Sequence, residues 1–394
     1  MDFQSIAAII FIVLLTIYVY AKRSKLETKS LIPYVLYFSM YRARWGLKLM
    51  DSWAKKFPKT TRALGYIGIV VGFIGMAFIC FTLVQNLYHI FTKPAATAGV
   101  GIVLPVKAKG VFYVPFFYWI ISIFVIAVVH EFAHGLIARA HNMKVKSSGF
   151  AFLGLIVPII PAAFVEPDEK QLRKRPHKEQ LSVFAAGPFS NVITAFAVFA
   201  IAAFLLTPVI DGFVKADGIK ITDYTKGDEK FPTELSGISI GEIIKEVDGK
   251  PVLYVDNLST TFKAKKPGDS VIITTDKQSY ELKLAANPEN KSAAYMGAYL
   301  EQSTRIDDGV KAKYGTFLPN SLLWFYGLLI ILFILNLGIG LFNLVPIGPL
   351  DGGRMMQLAA IKIFGVKTGN KVWAYVGFFF LGLILINVVA GFVL

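Results

Sequence analysis

Six long apolar segments restrict the fold of this chain more than any other feature. They carry almost no charged side chains and lie at roughly 6–21, 64–92, 111–138, 181–207, 320–345 and 372–394. A helix of about 20 apolar residues crosses the hydrocarbon core of a bilayer and satisfies its own backbone hydrogen bonds there. Only 17% of the 394 residues are charged, against about 25% in ordinary soluble proteins. The pattern predicts an α-helical polytopic membrane protein with about six spans.

The positive charge lies beside these segments. The chain has 41 Lys and Arg against 26 Asp and Glu, which gives a formal net charge of +15. Eleven of the basic residues lie within 22–63 and eight within 139–180, whereas 211–313 is nearly neutral. Basic residues in short loops next to spans are typical of the cytoplasmic side, and nucleic-acid binding does not require this placement. We therefore expect a multi-pass protein of the cell membrane, in contact with the lipid bilayer and without a nucleic-acid partner. Both termini and the long segment 208–319 would then be extracytoplasmic.

Three connecting segments have distinct patterns. Residues 34–56 interleave aromatic and basic residues, which predicts a helix lying in the cytoplasmic interface. Residues 148–165 are apolar but interrupted by Gly and Pro, which favours a re-entrant, β-like hairpin over a straight spanning helix. Residues 209 to about 310 alternate short β-rich runs with Gly and Asp, and Ile240 to Lys245 is typical of a short helix. This stretch is long enough for one small α+β domain.

The sequence thus predicts four parts. Residues 1–63 form an N-terminal span with the cytoplasmic interfacial segment, and 64–207 form the first part of a membrane core. Residues 208–319 form the inserted extracytoplasmic domain, and 320–394 form the second part of the core.

The third apolar segment contains His130-Glu131-Phe132-Ala133-His134. Residues four apart lie on one face of a helix, so both imidazoles can bind one Zn²⁺ while Glu131 activates water. Chance, or two histidines hydrogen-bonded between helices, would produce the same letters. Cys80 is the only cysteine, so any metal ligands must be His, Asp or Glu side chains.

Carboxylates are rare in the apolar regions. Glu131 is the only one from Ser52 to Val165, and Asp351 is the only one from Gly309 to Leu394. Because an ionisable group at membrane depth costs at least about 2.5–3.5 kcal/mol, each is a functional candidate. A catalytic zinc site requires three protein ligands and a base, so Asp351 is the candidate third ligand. Prolines and glycines around it predict an extended segment. Alternatively, Asp351 pairs with Arg354 at the membrane boundary.

These residues resemble the site-2 protease family of intramembrane zinc metalloproteases, in its archaeal and eukaryotic-like branch. HEFAH at 130–134 is similar to the family's HExxH, and NLVPIGPLDGGR at 343–354 is similar to its Asn-x-x-Pro and Leu-Asp-Gly motif. AFVEPDE at 163–169 and AAGPFSN at 185–191 also resemble family segments. The resemblance implies one Zn²⁺ per chain, held by His130, His134 and Asp351, with Glu131 as the catalytic glutamate.

The resemblance also implies roles for two other segments. Residues 148–165 would be a membrane-embedded β-like hairpin that holds an unwound substrate, and the inserted domain would be PDZ-like. Its turns at Ser236-Gly237-Ile238, Val247-Asp248-Gly249-Lys250 and Pro267-Gly268-Asp269 are similar to those of PDZ domains in such proteases. Glu242 stands where that pattern has Asp.

The resulting hypothesis is an intramembrane zinc endopeptidase that cuts transmembrane segments of membrane protein substrates, in regulated intramembrane proteolysis, with its active site toward the cytoplasm. The amide of Asn343 would stabilise the oxyanion or bridge two spans, and Asn191 would contact substrate or bond another helix. The alternatives are a zinc-binding membrane transporter and a catalytically idle PDZ-type scaffold. The sequence leaves the substrate and the oligomeric state open.

Overall fold

The computed structural model describes residues 3–32, 36–92, 100–155, 157–225, 230–288 and 290–393. Tyr34 and Val35 of the predicted interfacial helix and Ile156 of the predicted hairpin lie outside these ranges. The chain divides into two units, which are described separately. The first comprises Met1–Ala202 and Tyr326–Leu394, and the second comprises Ala203–Phe325.

The described helices include α1 to α12, numbered along the chain. They are α1 (Phe3–Ala21), α2 (Leu47–Lys56), α3 (Pro58–Thr92), α4 (Phe116–Ala140), α5 (Glu169–Arg173), α6 (His177–Ala200), α7 (Thr207–Phe213), α8 (Pro232–Leu235), α9 (Val255–Lys263), α10 (Asp308–Tyr314), α11 (Phe317–Phe342) and α12 (Asp351–Val393). A π-helix, Ile201–Leu206, connects α6 to α7, and a 3-10 helix, Arg23–Lys25, follows α1.

The described strands are likewise numbered along the chain. They are β1 (Leu26–Ile32), β2 (Leu36–Ala43), β3 (Ile102–Leu104), β4 (Val111–Tyr113), β5 (Val145–Leu155), β6 (Val157–Pro167), β7 (Val214–Tyr224), β8 (Ile243–Val247), β9 (Lys250–Pro251), β10 (Ser270–Thr275), β11 (Ser279–Lys283), β12 (Ala285–Ala286), β13 (Ala294–Tyr295) and β14 (Ala298–Ile306).

Six helices are long and apolar enough to cross a membrane, one for each predicted span. They are α1, α3, α4, the continuous helix His177–Phe213, α11 and α12. Most boundaries differ from the prediction by a few residues, and two of the differences have a visible cause or are large. The third span was expected to begin at 111, but Val111–Tyr113 form β4, and α4 begins after Pro115 because proline suits a helix start. The last helix begins at Asp351 instead of 372 and is interrupted at Gly365.

Helix α3 illustrates how side chains divide between protein and lipid. Its buried residues Gly68 and Gly72 allow close contact with side chains of α6 and α12. On the opposite face, Val70 is 60% exposed and Ile74 is 65% exposed. Small residues toward the bundle and branched apolar residues outward are typical of helices surrounded by lipid. The exposed face would be unfavourable in water, so α3 supports the membrane assignment.

A four-stranded antiparallel sheet in the first unit has the order β1-β2-β5-β6. Strands β5 and β6 pair Phe150 with Ala163, so 145–167 forms two antiparallel strands around the predicted hairpin. Among the described strands β6 pairs only with β5 and is therefore an edge strand. Its prolines are compatible with this position, because an edge strand leaves part of its backbone unpaired.

The interfacial helix predicted over 34–56 is only partly correct. Leu47–Lys56 form α2, but Leu36–Ala43 form β2, which pairs along its whole length with β5. Alternating aromatic and polar residues fit an interfacial helix or a strand equally well over a short stretch. A strand far along the sequence supplies the hydrogen-bond partners here, and local sequence does not encode that partner.

The second unit contains an antiparallel sheet of order β11-β10-β8-β7-β14, with β9 paired to β8. Its core includes Ile219, Ile244, Val247 and Ile273, all fully buried. The helix predicted over Ile240–Lys245 is wrong, because Ile243 begins β8 and pairs with Lys220 of β7. So short an apolar run does not distinguish the helical period from the strand period.

Glu242 lies immediately before this strand and is only 1% exposed. Burial favours its neutral form, but Thr275 Oγ1, the backbone N–H of Ser239 and the Tyr280 hydroxyl all donate to the carboxylate. Together with the nearby Lys277 ammonium group, these donors hold the pKa of Glu242 below its usual value. The carboxylate therefore stabilises the turn before β8 in its charged form.

Candidate metal centre

The two histidines of the HEFAH motif lie on one face of α4. Their ring centroids are 4.8 Å apart, and His134 is 9% exposed. Helix α4 continues on both sides of the motif, from Phe116 to Ala140, so the histidines project from the C-terminal half of a candidate span.

Asp351 reaches this region because the chain turns sharply before α12. Residues 343–350 form a series of turns, and the N–H of Gly352 donates to the carbonyl of Asn343 over 2.8 Å. A Cβ atom on Gly352 would lie 2.1 Å from the carbonyl oxygen of Leu344, so only glycine permits this approach. The predicted extended segment is therefore wrong: Asp351 is the first residue of α12. The turns and the start of α12 together orient the Asp351 carboxylate toward the two histidines.

The side chains of His130, His134 and Asp351 converge. Asp351 Oδ2 lies 3.1 Å from His130 Nε2 and 3.3 Å from His134 Nε2. Each residue offers one ligand atom, and these atoms all lie within 4.8 Å of one another. Arg354, the alternative partner, lies over the ring of Phe184 instead, and no described ion pair joins it to Asp351. Two imidazole nitrogens and one carboxylate oxygen are a donor set typical of catalytic zinc sites.

Helix α6 packs directly behind the two histidines. Its residues Val183, Gly187 and Asn191 are spaced four apart and so lie on one face. The carbonyl of Val183 accepts a hydrogen bond from His134 Nδ1 over 2.7 Å. A Cβ atom on Gly187 would lie 2.4 Å from His134 Nε2 and 2.5 Å from His130 Nε2. The missing side chain of Gly187 therefore leaves the space at the two nitrogens that a metal ion would require.

Asn191 completes this face of α6. It is fully buried, and its amide nitrogen lies 3.2 Å from His130 Nδ1, while its Oδ1 has no hydrogen-bond partner among the described residues. If Nε2 of His130 binds metal, Nδ1 carries the proton and requires an acceptor. Because the two ends of an amide are assigned from the hydrogen-bond network, rotating the amide brings the orphaned Oδ1 to Nδ1–H. The geometry favours contact with the histidine over the predicted contact with substrate.

The three side chains also line a cavity of about 370 Å³. Its lining includes Glu131, Asn343 and the end of β6 from Phe164 to Pro167. Glu131 Oε2 accepts a hydrogen bond from the backbone N–H of Val165 over 2.9 Å. The amide of Asn343 donates to the carbonyl of Ile339 over 3.1 Å. The structure thus brings Glu131 and Asn343 to the cavity, whereas Asn191 is not among its lining residues.

Sequence reasoning missed three contributors to this site. Gly187 lay within the quoted AAGPFSN segment, and its spacing of four from Asn191 and Val183 was an available signal. The carbonyl of Val183 and the N–H of Val165 act through the backbone, so no residue type in the sequence indicates them.

Comparison with known proteins identifies related sequences. The family model described as Peptidase family M50 matches residues 118–384, which include His130, His134 and Asp351. The uncharacterized protein MJ0971 of Methanocaldococcus jannaschii is 26% identical over 359 residues, which cover 89% of this chain and 84% of that protein. The crystal structure of the PDZ domain of the SdrC-like protein (Lmo2051) from Listeria monocytogenes matches 22% of this chain and 90% of its own, at 23% identity and a TM-score of 0.19. At that TM-score the PDZ-like interpretation of the inserted domain stays a prediction.

Proposed function

Because the chain belongs to peptidase family M50, the site-2 protease family, we propose that it is an intramembrane zinc endopeptidase that hydrolyses transmembrane segments of membrane proteins. Members of this family are metalloproteases and are in general zinc-dependent. The convergence of His130, His134 and Asp351 beside Glu131, in helices apolar enough to span a membrane, is the observation that carries the proposal.

The proposed metal ligands are His130 Nε2, His134 Nε2 and one carboxylate oxygen of Asp351, for one Zn²⁺ per chain. The donor set fits zinc, and the space beside Gly187 is consistent with an ion at the two nitrogens. When bound, Zn²⁺ supplies the Lewis acidity that activates water and polarises the scissile carbonyl. The carbonyl of Val183 and the amide of Asn191 hold the two rings so that their Nε2 atoms stay available.

Glu131 is the proposed general base and acid. It follows His130 in the chain and lines the cavity, so its carboxylate can take a proton from the attacking water and deliver it to the leaving amine. The N–H of Val165 fixes one carboxylate oxygen and leaves the other for this work. Asn343 lines the same cavity, and its amide would stabilise the oxyanion after releasing the carbonyl of Ile339.

The edge of β6 is the proposed substrate-binding element. A transmembrane helix hides its carbonyls in its own hydrogen bonds, so the segment to be cut must unwind first. An unwound segment can pair with an open strand edge, as in other cases of peptide recognition by strand addition. The end of β6, from Phe164 to Pro167, lines the cavity beside Glu131, which favours pairing at the cleavage point. In this proposal β5 and β6 form the re-entrant hairpin at membrane depth.

The proposed orientation follows from the charge distribution. Residues 22–63 and 139–180 would face the cytoplasm, with the active site toward that side, and 208–319 would be an extracytoplasmic PDZ-like domain. Such a domain would select substrates by binding a newly exposed C-terminus or by excluding bulky ectodomains. The substrates would be membrane proteins that cross the bilayer beside this chain.

Substitution of Glu131 by Gln tests the function. In proteoliposomes containing a helical transmembrane substrate, Glu131→Gln should slow cleavage by at least about 100-fold while retaining one zinc per chain, because a general base contributes about 10²–10⁴-fold. Glu281→Gln, on exposed strand β11, is the matched control and should cleave normally. Zinc flux that survives in Glu131→Gln would favour a transporter. Absence of cleavage by the metal-loaded wild type across substrates would favour a scaffold.

A further inference from the structure

A second cavity lies apart from the metal centre. It has a volume of about 440 Å³ and lies between the C-terminal end of α4 and the junction of α2 and α3. None of its lining residues lines the cavity at the metal centre. Ala54, Ala140 and Met143 form a buried apolar wall.

The charge in this cavity is strongly positive. Lys55, Arg62, Arg139 and Lys144 line it, against one acidic residue, Asp51. The carboxylate of Asp51 already forms an ion pair with Arg139 Nε over 3.0 Å. Across the part of the chain that the structure describes, no carboxylate oxygen lies within 4.0 Å of the charged groups of the other three basic residues, which together leave an uncompensated charge for an anion.

The cavity also lies where a lipid headgroup would reach it. Helix α3 begins at Pro58 and α4 ends at Ala140, and Arg62 Nε donates to the carbonyl of Ala140 over 2.6 Å, so the two ends lie at the same level. Both helices are long and apolar enough to span a membrane, so this level is a membrane boundary. The positive-inside pattern assigns it to the cytoplasmic side.

We propose that this cavity is a binding site for a phosphate-bearing anion, of the kind carried by an anionic phospholipid headgroup. Basic pockets between spanning helices at the cytoplasmic boundary bind such headgroups. Lys55 belongs to α2 and Lys144 follows α4, and both are exposed and supply movable ammonium donors. Arg62 is anchored by its bond to the carbonyl of Ala140. The apolar wall suits the glycerol and first acyl carbons of a lipid. The proposal does not depend on the proposed protease activity.

The test measures bound lipid on the purified full-length chain by native mass spectrometry, with dioleoylphosphatidylglycerol titrated against dioleoylphosphatidylcholine. The variant Lys55→Gln/Lys144→Gln should bind phosphatidylglycerol about 25-fold more weakly, because each basic residue near an anionic surface contributes roughly a factor of five. Lys367→Gln/Lys371→Gln removes two exposed basic residues from α12 and should change binding less than about twofold. Both variants alter exposed side chains, and unchanged size-exclusion profiles and metal content confirm that they fold.

A second arm distinguishes the source of the phosphate. Displacement of phosphatidylglycerol from the wild type by sodium phosphate or glycerol 3-phosphate would assign the site to a soluble phosphate compound. Retention of the lipid against both would assign it to the headgroup in its membrane. Equal retention of phosphatidylglycerol by the wild type and Lys55→Gln/Lys144→Gln would overturn the proposal, as would equal losses in the two double variants. An overturned lipid-binding proposal would leave the proposed cleavage at the metal centre unaffected. The two proposals therefore fail separately.

Discussion

At the scale of single residues, the absence of a side chain is as informative as its presence. His130, His134 and Asp351 supply the donor atoms, but the space around them depends on Gly187. Helix α6 carries this glycine between the carbonyl that bonds His134 and the amide that faces His130. One helical face therefore sets the orientation of both rings and the room between them.

Gly187→Ala should strongly weaken metal binding. The new Cβ would lie 2.4 Å from His134 Nε2, a distance that no side-chain atom tolerates, so at least one imidazole must move away. We expect zinc affinity to fall by at least about 100-fold, because loss of a hydrogen-bond partner of a ligand alone costs about 10–100-fold and here a ligand itself is displaced. Zinc per chain after dialysis against a chelator measures this. At Gly338, on α11, an added Cβ would have no described atom within 4 Å apart from its chain neighbours and its own helix backbone, so Gly338→Ala should retain its zinc.

Asn191 offers a test of ligand positioning. Asn191→Leu removes the acceptor for His130 Nδ1–H at a fully buried position, and zinc affinity should fall about 10–100-fold. Asn191→Asp keeps an oxygen acceptor at this position, now as a carboxylate, and should keep zinc affinity within about fivefold of the wild type. Competition with a fluorescent chelator gives both values without a cleavage assay. Equal zinc affinity in all three proteins, with a raised KM in Asn191→Leu, would instead support a direct substrate contact.

At the scale of elements, the edge of β6 connects the sheet to the metal centre. The N–H of Val165 donates to Glu131, so the strand that is proposed to receive substrate also holds the proposed base. This N–H faces away from β5, toward the cavity, and the side chain of Val165 takes no part in the bond. Substitutions that alter the backbone therefore separate its role from that of the valine side chain.

Val165→Pro should lower kcat while zinc content stays at one per chain. Proline removes the N–H that fixes Glu131, and an edge strand tolerates it. We expect a loss of about 10–100-fold, since a charged acceptor loses a donor that contributes about 1.5–3 kcal/mol. Val165→Ala keeps the N–H and is the matched control, with activity close to the wild type. Equal activity in Val165→Pro and Val165→Ala would show that the bond to Glu131 has no catalytic part.

The elements also show what a sequence predicts and what it leaves out. Spans are predictable because a run of apolar residues is a local property, and each predicted span corresponds to a long apolar helix. Strand β2 is not, because its partner β5 lies about a hundred residues away. Candidate ligands are predictable where an ionisable residue stands alone in an apolar run, as Asp351 does. Every residue has a backbone carbonyl, so the residue type at Val183 does not indicate that its carbonyl bonds a histidine.

At the scale of the whole molecule, charge placement predicts orientation. The two basic segments, 22–63 and 139–180, flank the spans, and the second unit is nearly neutral by comparison. If the basic segments face the cytoplasm, the spans would alternate in direction and 208–319 would lie outside. The same orientation would place the proposed phosphate site at the cytoplasmic boundary.

Single-cysteine labelling tests this orientation, because Cys80 is the only native cysteine. In a Cys80→Ser background, Lys263→Cys, on exposed α9, should react in intact cells with a maleimide that does not cross membranes. Lys56→Cys, on exposed α2, should react only after lysis. Full labelling of both positions after lysis is the control for reactivity. Labelling of Lys56→Cys in intact cells, with Lys263→Cys protected, would reverse the topology.

The separation of His130 and Asp351 by 221 positions has a consequence for biosynthesis. A ribosome must translate most of the chain and insert five of its spans before the aspartate emerges to join the histidines. Until then the nascent chain would lack the third proposed ligand, so the proposed peptidase would be unable to cut proteins of the translocation machinery. If the proposed function is correct, this separation would delay activity until synthesis and membrane insertion of the chain are nearly complete.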